Sequence, residues 1–133
     1  HRPEDWEGPV PITCVHADDS SLPSVIAALR AGRTYVSSGP SIEIRALDES
    51  GPTASVGQGV KRASAREIEV VCADTPEAEL RLVGNHGTIA KGLVDAEGRV
   101  AAPPRDTDTW CCAELWNREG DTMLAVTSPI YFE

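Results

Sequence analysis

The sequence predicts a mostly β chain, in which one helix precedes an antiparallel, immunoglobulin-like (Ig-like) β-sandwich of about seven or eight strands. Short segments of alternating apolar and polar residues recur along the chain, separated by turns rich in glycine, proline, aspartate and serine. A spacing of roughly 10–15 residues between such segments is typical of antiparallel sandwiches. A parallel sheet would need helices between successive strands, and only one segment has helical periodicity.

The one helix is predicted over residues 20–31. Ser20 or Ser21 can cap its N-terminus, and Pro23 is tolerated in the first turn. Apolar residues repeat at helical spacing at Leu22, Val25, Ile26 and Leu29. This stripe predicts a helix with one buried face, and Gly32 can adopt the left-handed conformation that ends it.

Strands are predicted from segments in which the apolar period is two. They are residues 11–16 at a sheet edge, 34–37, 42–47, 67–73, 79–83, 88–90, a short strand from 100, 109–116, 123–127 and 130–132. The alternation places Ile42, Ile44 and Ala46 on one face of their strand. One side of the strand 109–116 carries Trp110, Cys112, Glu114 and Trp116.

Turn residues separate these strands. Turns are predicted at 48–52, at 95–98 and at Gly84-Asn85-His86-Gly87, which is similar to a two-residue hairpin turn. Residues 55–60 form a short segment that Gly57 and Gly59 bend. No internal repeat, heptad or low-complexity tract interrupts this order.

Composition bounds the class of protein. The 133 residues fit one domain, or a small domain with a tail, and 41% apolar with 25% charged residues is an ordinary globular composition. The net charge of −9 and the pI of 4.7 argue against nucleic acid and anionic membranes as partners, because both attract clustered positive charge. The sequence has no run of about 18 apolar residues, so no membrane-spanning helix is expected.

The first residues bear on the origin of the chain. It does not begin with methionine, and it starts without the apolar segment of a secretion signal. We therefore expect a processed product, a cut chain or the tail of a larger protein. A soluble chain is expected, with the cytoplasm slightly favoured, although the sequence does not determine the compartment.

Four cysteines are present, at positions 14, 72, 111 and 112. No CxxC pair indicates a zinc site. Cys111 and Cys112 are neighbours in a predicted strand and should point to opposite faces, so at most one of them joins a core with Cys72. Buried thiols are the expected state, and a cross-strand disulfide is the alternative.

No segment carries a catalytic motif. The histidines His1, His16 and His86 are far apart, and the sequence has no HExxH, no GxSxG and no phosphate-binding glycine loop. His16 beside Asp18 and Asp19 is either part of a metal site or part of a turn whose carboxylates favour a helix N-terminus. His86 fits a polar turn. By itself, the chain lacks a catalytic set.

The two tryptophans near Glu114 allow two interpretations. A carboxylate beside Trp110 and Trp116 can form a sugar-binding platform, because sugars stack on aromatic rings. The alternative is a half-exposed strand face with covering aromatic side chains, and the scarcity of other aromatic residues favours it.

One segment resembles a known family. Residues 25–40, VIAALRAGRTYVSSGP, are similar to the stretch after the last metal-binding motif of PHP-type (polymerase and histidinol phosphatase superfamily) metal-dependent hydrolases, in the carbamate hydrolase-like branch. There, a helix ending in LRAGR leads into a strand ending in GP, and a β-rich C-terminal region follows. Three later pieces are similar as well: Val56-Gly57-Gln58-Gly59, Leu82-Val83-Gly84-Asn85 and Ser128-Pro129-Ile130-Tyr131. The resemblance spans most of residues 22–132.

The resemblance implies a domain organisation and a metal. Residues 1–40, with the helix 20–31, would be the tail of an upstream metal-binding barrel domain, and residues 41–133 would be a C-terminal β-sandwich accessory domain. The family's barrel holds divalent metal (zinc, manganese or iron), and its final motif is Asp-x-His. His1 stands where that histidine would fall, which implies a metal ligand in the parent protein; a remnant of an expression tag is the alternative. No cofactor and no catalytic residue are expected in the chain itself.

The leading functional hypothesis follows from this resemblance. The chain would be a non-catalytic C-terminal fragment of a PHP-like hydrolase, a phosphoesterase or a carbamate or ester hydrolase, whose partner is its own upstream barrel. The alternative is a stand-alone Ig-like module that binds a glycan or a protein. A third hypothesis is an enzyme that assembles a site from His16, Asp18 and His86.

Overall fold

The computed structural model describes residues 11–73, 77–94 and 98–133. Strands make up 53% of the described residues and helices 10%, which confirms the mostly β, sandwich-type fold class. The helix α1 covers Leu22–Arg30, and a 3-10 turn covers Arg62–Ser64. The described strands are β1 (Ile12–Val15), β2 (Thr34–Ser37), β3 (Ser41–Asp48), β4 (Gly51–Ser55), β5 (Gly59–Val60), β6 (Glu67–Ala73), β7 (Glu79–Gly84), β8 (Gly87–Leu93), β9 (Arg99–Ala102), β10 (Trp110–Trp116), β11 (Met123–Thr127) and β12 (Ile130–Phe132).

The strands form two sheets. The smaller sheet has the order β4-β3-β6-β9, and all its described pairings are antiparallel. The larger sheet is built around β10, which pairs with β7 along one side. The other side of β10 is shared, because β12 pairs with its beginning and β11 with its end. From there the sheet continues through β2 to β1 on one path and, by a parallel pairing, to β5 on the other.

The core lies between the inner faces of these strands. Ile42, Ile44 and Ala46 on β3 are 2%, 0% and 0% exposed, as their alternation predicts. On β10 the inner residues are Cys111, Ala113 and Leu115, each 0% exposed. Since full burial of a large apolar side chain contributes about 1.5–3 kcal/mol, these strands supply much of the stability of the fold.

Strand limits were predictable where alternation is clear. β6, β11 and β12 have the predicted limits, and the hairpin turn lies at Asn85 and His86 between β7 and β8. β4 was not predicted, because Pro52 belongs to a cluster of residues that indicated a turn. Pro52 is compatible with a strand there because β4 is at a sheet edge, where one side needs no ladder hydrogen bond.

The expected domain limit at residues 40 and 41 does not coincide with a gap in hydrogen bonding. β1 and β2 lie before that limit, and β2 pairs with β11 through Val36 and Val126. The upstream barrel itself stays a prediction. His1 and part of the turn predicted at 95–98 lie outside the described residues. Among the helices that the structure describes, none is long and apolar enough to cross a membrane.

Candidate functional site

The helix α1 begins with a capped turn. The Ser21 backbone N–H donates to Asp19 Oδ1 over 2.8 Å, and Ser21 Oγ accepts from the Ser24 backbone N–H over 3.4 Å. Ser21 is therefore the N-cap, as predicted, and the hydrogen bond from the Ser21 side chain is the main reason that the pKa of Asp19 is lowered. This geometry supports the capping interpretation for Asp19, whereas Asp18 lies 3.7 Å from Arg33 Nη1.

The helix ends where the chain folds back against Gly57. Gly32 has a left-handed φ of +69°, and a Cβ built on it would lie 3.5 Å from Gly57 Cα. Gly57 has a φ of +81°, and a Cβ there would overlap the backbone of Ala31 and Gly32. The two segments thus pack backbone against backbone. At Gly57 there is no room for a Cβ, and at Gly32 the positive φ favours glycine.

Hydrogen bonds tie a third segment to this junction. The Gly57 N–H donates to the carbonyl of Pro129 over 2.8 Å. The Ser128 N–H donates to the carbonyl of Thr34 over 3.0 Å, and the hydroxyls of Thr34 and Ser128 lie 2.8 Å apart. Three of the four segments that carry the family resemblance therefore meet at the C-terminal end of α1, where they hold the helix to the larger sheet.

The outward direction of α1 corrects one expectation. The sequence predicted that the stripe of Leu22, Val25, Ile26 and Leu29 would be buried. Only Val25 is half-buried, whereas Leu22, Ile26 and Leu29 are 72%, 37% and 49% exposed. The buried residue of α1 is Ala28, at 0% exposure. The helix approaches the sandwich through this small side chain and the glycine junction, so its large apolar residues are left on the outside.

Exposed apolar side chains are concentrated around α1. The described residues include eight exposed large apolar side chains, six of which lie on β1, α1, β2 or β11. We call these six the apolar surface: Ile12, Leu22, Ile26, Leu29, Val36 and Met123. A groove of about 140 Å³ lies within its sheet portion and is lined by Pro11, Val36, Ser37, Ser38 and residues 123–126. Ile12 pairs with Ser37 and therefore lies on the opposite face of the larger sheet from Val36, so the six residues share one end of that sheet and not one face. Such a concentration at one end is more typical of a contact region than of scattered exposure.

A polar cleft of about 250 Å³ lies near the end of β1. It is lined by His16, Ala17, Asp18, Arg33, Glu43, Ser55 and Val56. Arg33 Nη1 is 3.7 Å from Asp18 Oδ1, and Arg33 Nε is buried without a hydrogen-bond partner in the described structure. The His16 ring is 5.5 Å from the Tyr35 ring. One guanidinium facing two carboxylates gives the cleft no strong preference for an anion or a cation.

The structure does not bring the sequence-predicted site residues together. His86 lies in the β7–β8 turn, with Nε2 3.2 Å from the carbonyl of Thr107, whereas His16 follows β1 on the other side of β10 in the larger sheet. No three His, Cys, Asp or Glu side chains among the described residues are grouped so that they could hold a metal ion. The divalent metal that the resemblance implies for the barrel of a parent protein, and the role of His1 as its ligand, stay predictions.

The tryptophan side of β10 is occupied by neighbouring polar groups. The Arg81 guanidinium carbon lies 4.3 Å from the centre of the Trp116 ring. Trp116 Nε1 donates to Glu114 Oε1 over 3.0 Å. A sugar stacking on Trp116 would have to displace Arg81 from that ring face, so the geometry fits a covered strand face better than an open platform.

The cysteines are distributed as the strand pattern predicts. Cys72 and Cys111 are in the core, whereas Cys112 is half-buried on the opposite face of β10. Cys14, Cys111 and Cys112 are free thiols. Burial raises the pKa of Cys111 to about 12 and that of Cys112 to about 11. Both groups are therefore protonated near neutral pH, which makes them poor nucleophiles and poor metal ligands.

Two buried carboxylates were missed by the sequence reasoning. Glu69 is 8% exposed and accepts hydrogen bonds from Arg45 and Arg99. Asp108 is 0% exposed and lies 3.0 Å from Arg105 Nε. From the sequence alone, both residues would be taken as exposed surface charges. The one local signal is that Glu67 and Glu69 are two positions apart on β6 and therefore lie on the same face of the strand. Glu69 links β6 to the neighbouring strands β3 and β9, and Asp108 links residues of the loop after β9. We therefore assign structural roles to both.

Comparison with known proteins found no match for this chain. No protein-family model matches the chain, and no curated protein or solved structure matches it either. The resemblance to PHP-type hydrolases therefore stands on the residues of the sequence alone and stays a prediction.

Proposed function

We propose that this chain is a non-catalytic C-terminal accessory domain of a PHP-like metal-dependent hydrolase, which acts on a phosphoester, a carbamate or another ester. In this proposal the apolar surface packs against the upstream barrel domain of the same protein. The observation that carries the proposal is the exposed stripe of α1, on a helix that the glycine junction holds in place.

The exposed apolar stripe of α1 would be stabilised by a partner that covers it. Leu22 is 72% and Leu29 49% exposed. Covering one such side chain contributes on the order of 1–2 kcal/mol. Rotation of the helix to bury them on its own sandwich would have to disturb the close contact between Gly57 and the backbone of Ala31 and Gly32. A second domain that covers Leu22 and Leu29 would bury them without any movement of α1.

A domain on the same polypeptide is the natural partner. The apolar surface is formed largely by β1, α1 and β2, which are the first described elements of the chain. A domain linked just before them would be held near this surface at high effective concentration, so a modest contact area suffices for stable docking.

The proposed role is to complete the barrel, not to react. The described residues provide no grouped metal ligands, and the thiols of Cys111 and Cys112 are protonated near neutral pH. The groups that bind metal and substrate would therefore belong to the barrel. The accessory domain would cover the edge of the barrel, shape the substrate mouth or mediate assembly.

The test is Leu29→Asp in the longer protein that contains the barrel. A carboxylate in the docked stripe should lower the melting temperature of that protein by several degrees, because an unpaired charge would be buried. In the isolated 133-residue chain the same variant should melt like the wild type, since Leu29 is exposed there.

The matched control is Leu93→Asp. Leu93 is 59% exposed on β8, outside the apolar surface, so this variant should leave the longer protein unchanged. A longer protein in which Leu29→Asp melts at the wild-type temperature would contradict the proposal.

A second candidate is a stand-alone module that binds a glycan or a protein. The observation that favours it is the pair of half-buried tryptophans, Trp110 and Trp116, on one side of β10. Tryptophan fluorescence during titration with a glycan panel tests it, and Arg81→Ala should strengthen binding by uncovering the Trp116 ring. Unchanged fluorescence with every glycan, in both proteins, would remove the glycan form of this candidate.

A further inference from the structure

Arg33 differs from the other half-buried arginines that the structure describes. Arg45, Arg81 and Arg105 each donate a hydrogen bond to a carboxylate. The side chain of Arg33 is 29% exposed, and it donates no hydrogen bond to a described residue. Its Nε is buried without an acceptor, and the distance of 3.7 Å from its Nη1 to Asp18 Oδ1 is too long for a hydrogen bond. A guanidinium that is largely removed from water with unused donors would bind an added acceptor strongly.

The unused donors of Arg33 lie at the polar cleft of about 250 Å³, which Arg33 lines together with Asp18 and Glu43. Because Nε is buried, the part of the guanidinium that a ligand can reach is its Nη end. Asp18 is 84% exposed, and Glu43 is exposed without an ion pair to a described residue. The cleft therefore offers one cationic and two anionic groups, all of which can make new contacts.

The charges of the cleft favour a ligand that carries both signs. An anion alone would meet Arg33 but would be repelled by Asp18, by Glu43 and by the net charge of −9. A cation alone would leave the donors of Arg33 unused. The side-by-side charges of Arg33 and Asp18 are complementary to a molecule whose own opposite charges lie side by side in the reverse order. In an α-amino acid, a single carbon separates the carboxylate from the ammonium group.

We propose that this cleft binds a small free α-amino acid. The carboxylate of the ligand accepts hydrogen bonds from the Nη atoms of Arg33, and its ammonium group lies between Asp18 and Glu43. No residue of the apolar surface takes part, so this site stands independently of the proposed docking on a barrel.

The size of the cleft limits the ligand further. Its volume of about 250 Å³ has room for roughly eight water molecules at about 30 Å³ each, which matches an amino acid with a short side chain. Val56, which is 3% exposed, and Ala17 supply apolar wall for that side chain. A peptide does not fit the same pattern, because at least one peptide unit separates its terminal amino group from its terminal carboxylate.

NMR titration of the isotope-labelled 133-residue chain with L-alanine is the first test. We expect saturable shifts in the millimolar range, confined to the side chain of Arg33 and to the backbone amides around the cleft, such as those of His16 and Ser55. Acetate and methylamine each supply only one of the two charges, so each should bind at least about tenfold more weakly than L-alanine.

Arg33→Lys tests the cationic half of the site. This variant should weaken L-alanine binding at least about tenfold, because an ammonium group cannot make the paired hydrogen bonds of a guanidinium. Arg30→Lys is the matched control, since Arg30 is exposed in the last turn of α1 and does not line the cleft. It should bind L-alanine like the wild type, and melting curves of both variants show that they are folded.

Asp18→Asn tests the anionic half. Asp18 is 84% exposed, so the variant should fold normally. It should bind L-alanine several-fold more weakly, because the ammonium group loses a partner, and it should bind acetate more strongly, because a repelling charge is removed. An Asp18 that serves only to pair with Arg33 would not move the two affinities in opposite directions.

Three results would overturn the proposal. One is the absence of saturable shifts with L-alanine in the wild type. Another is acetate, phosphate or methylamine binding as tightly as L-alanine, which would indicate a site for a single charge. The third is unchanged L-alanine binding in both Arg33→Lys and Asp18→Asn. None of these results bears on α1, so the docking proposal for the longer protein is tested separately by Leu29→Asp.

Discussion

Gly32 and Gly57 pack backbone against backbone at the end of α1, both with left-handed φ angles. The contact leaves no room for a Cβ on Gly57, and it joins two of the segments in which the sequence resembles PHP-type hydrolases. Because neither residue has a side chain, the backbones approach closely, and the hydrogen bond from Gly57 to Pro129 ties this end of α1 to the larger sheet. The outward stripe of α1 is a consequence of this geometry.

Gly57→Ala should be strongly destabilising. The substitution combines an unfavourable positive φ with overlap against the backbone of Ala31 and Gly32, and we expect a loss of about 2–4 kcal/mol in the free energy of unfolding. Urea denaturation of the isolated chain measures it. Gly92→Ala is the control: nothing lies within 4 Å of its added Cβ, so its stability should stay within about 0.5 kcal/mol of the wild type. Equal midpoints for the two variants would contradict the close approach.

Asp108→Asn should destabilise the loop that follows β9. The carboxylate is 0% exposed and accepts from Arg105 Nε, and the Arg105 guanidinium also donates to the carbonyl of Gly87 over 3.0 Å. Loss of the charge should cost about 1–3 kcal/mol, since a buried charged hydrogen bond is weakened. Asp106→Asn, at an exposed neighbouring position, is the control. Chemical denaturation that fails to separate the two variants would argue against a structural role for Asp108.

Glu69 should make stability depend on pH. Its hydrogen bond with Arg99 is the main reason that its pKa lies below the usual value of 4.5. A carboxylate whose pKa is lower when folded stabilises the fold above its unfolded pKa, and this contribution is lost as pH falls through the folded pKa. Glu69→Gln should therefore be destabilising at pH 7, and the difference from wild type should shrink below about pH 4. Parallel melting curves from pH 3 to 7 measure it, and a constant difference would refute the assignment.

The thiols on β10 should react slowly in the folded chain. The pKa is about 12 for Cys111 and about 11 for Cys112, because burial disfavours both thiolates. Iodoacetamide at pH 8 should modify both much more slowly in the native chain than in urea, since the thiolate is the reactive form. Peptide mass spectrometry over time gives the two rates. Native rates equal to the unfolded ones would show that these thiols are not protected.

Much of the fold could be predicted from the sequence because local patterns determine it. Alternation and turn residues set the limits of β6, β11 and β12, and the serine cap and Gly32 set the ends of α1 within two residues. β4 was missed because Pro52 has different meanings at a sheet edge and in a turn. The parallel pairing of β5 with β12 joins distant residues without a local signal.

The candidate site was less predictable for a physical reason. Periodicity shows that α1 has an apolar stripe, but it does not show whether the stripe meets its own sandwich or another domain. The direction depends on the contact between Gly32 and Gly57, two residues without side chains and 25 positions apart in the sequence. Asp108 was missed for a similar reason, since its partner Arg105 belongs to the same irregular loop.

Hydroxyl-radical footprinting of the isolated chain and of the longer protein tests most directly whether a barrel covers the apolar surface. Leu22, Leu29 and Met123 should be oxidised readily in the isolated chain and at least several-fold more slowly in the longer protein. Leu93 and Tyr131, which are exposed outside that surface, should be oxidised at the same rate in both. Equal oxidation of Leu22, Leu29 and Met123 in the two proteins would show that no domain covers the apolar surface and would contradict the proposed function.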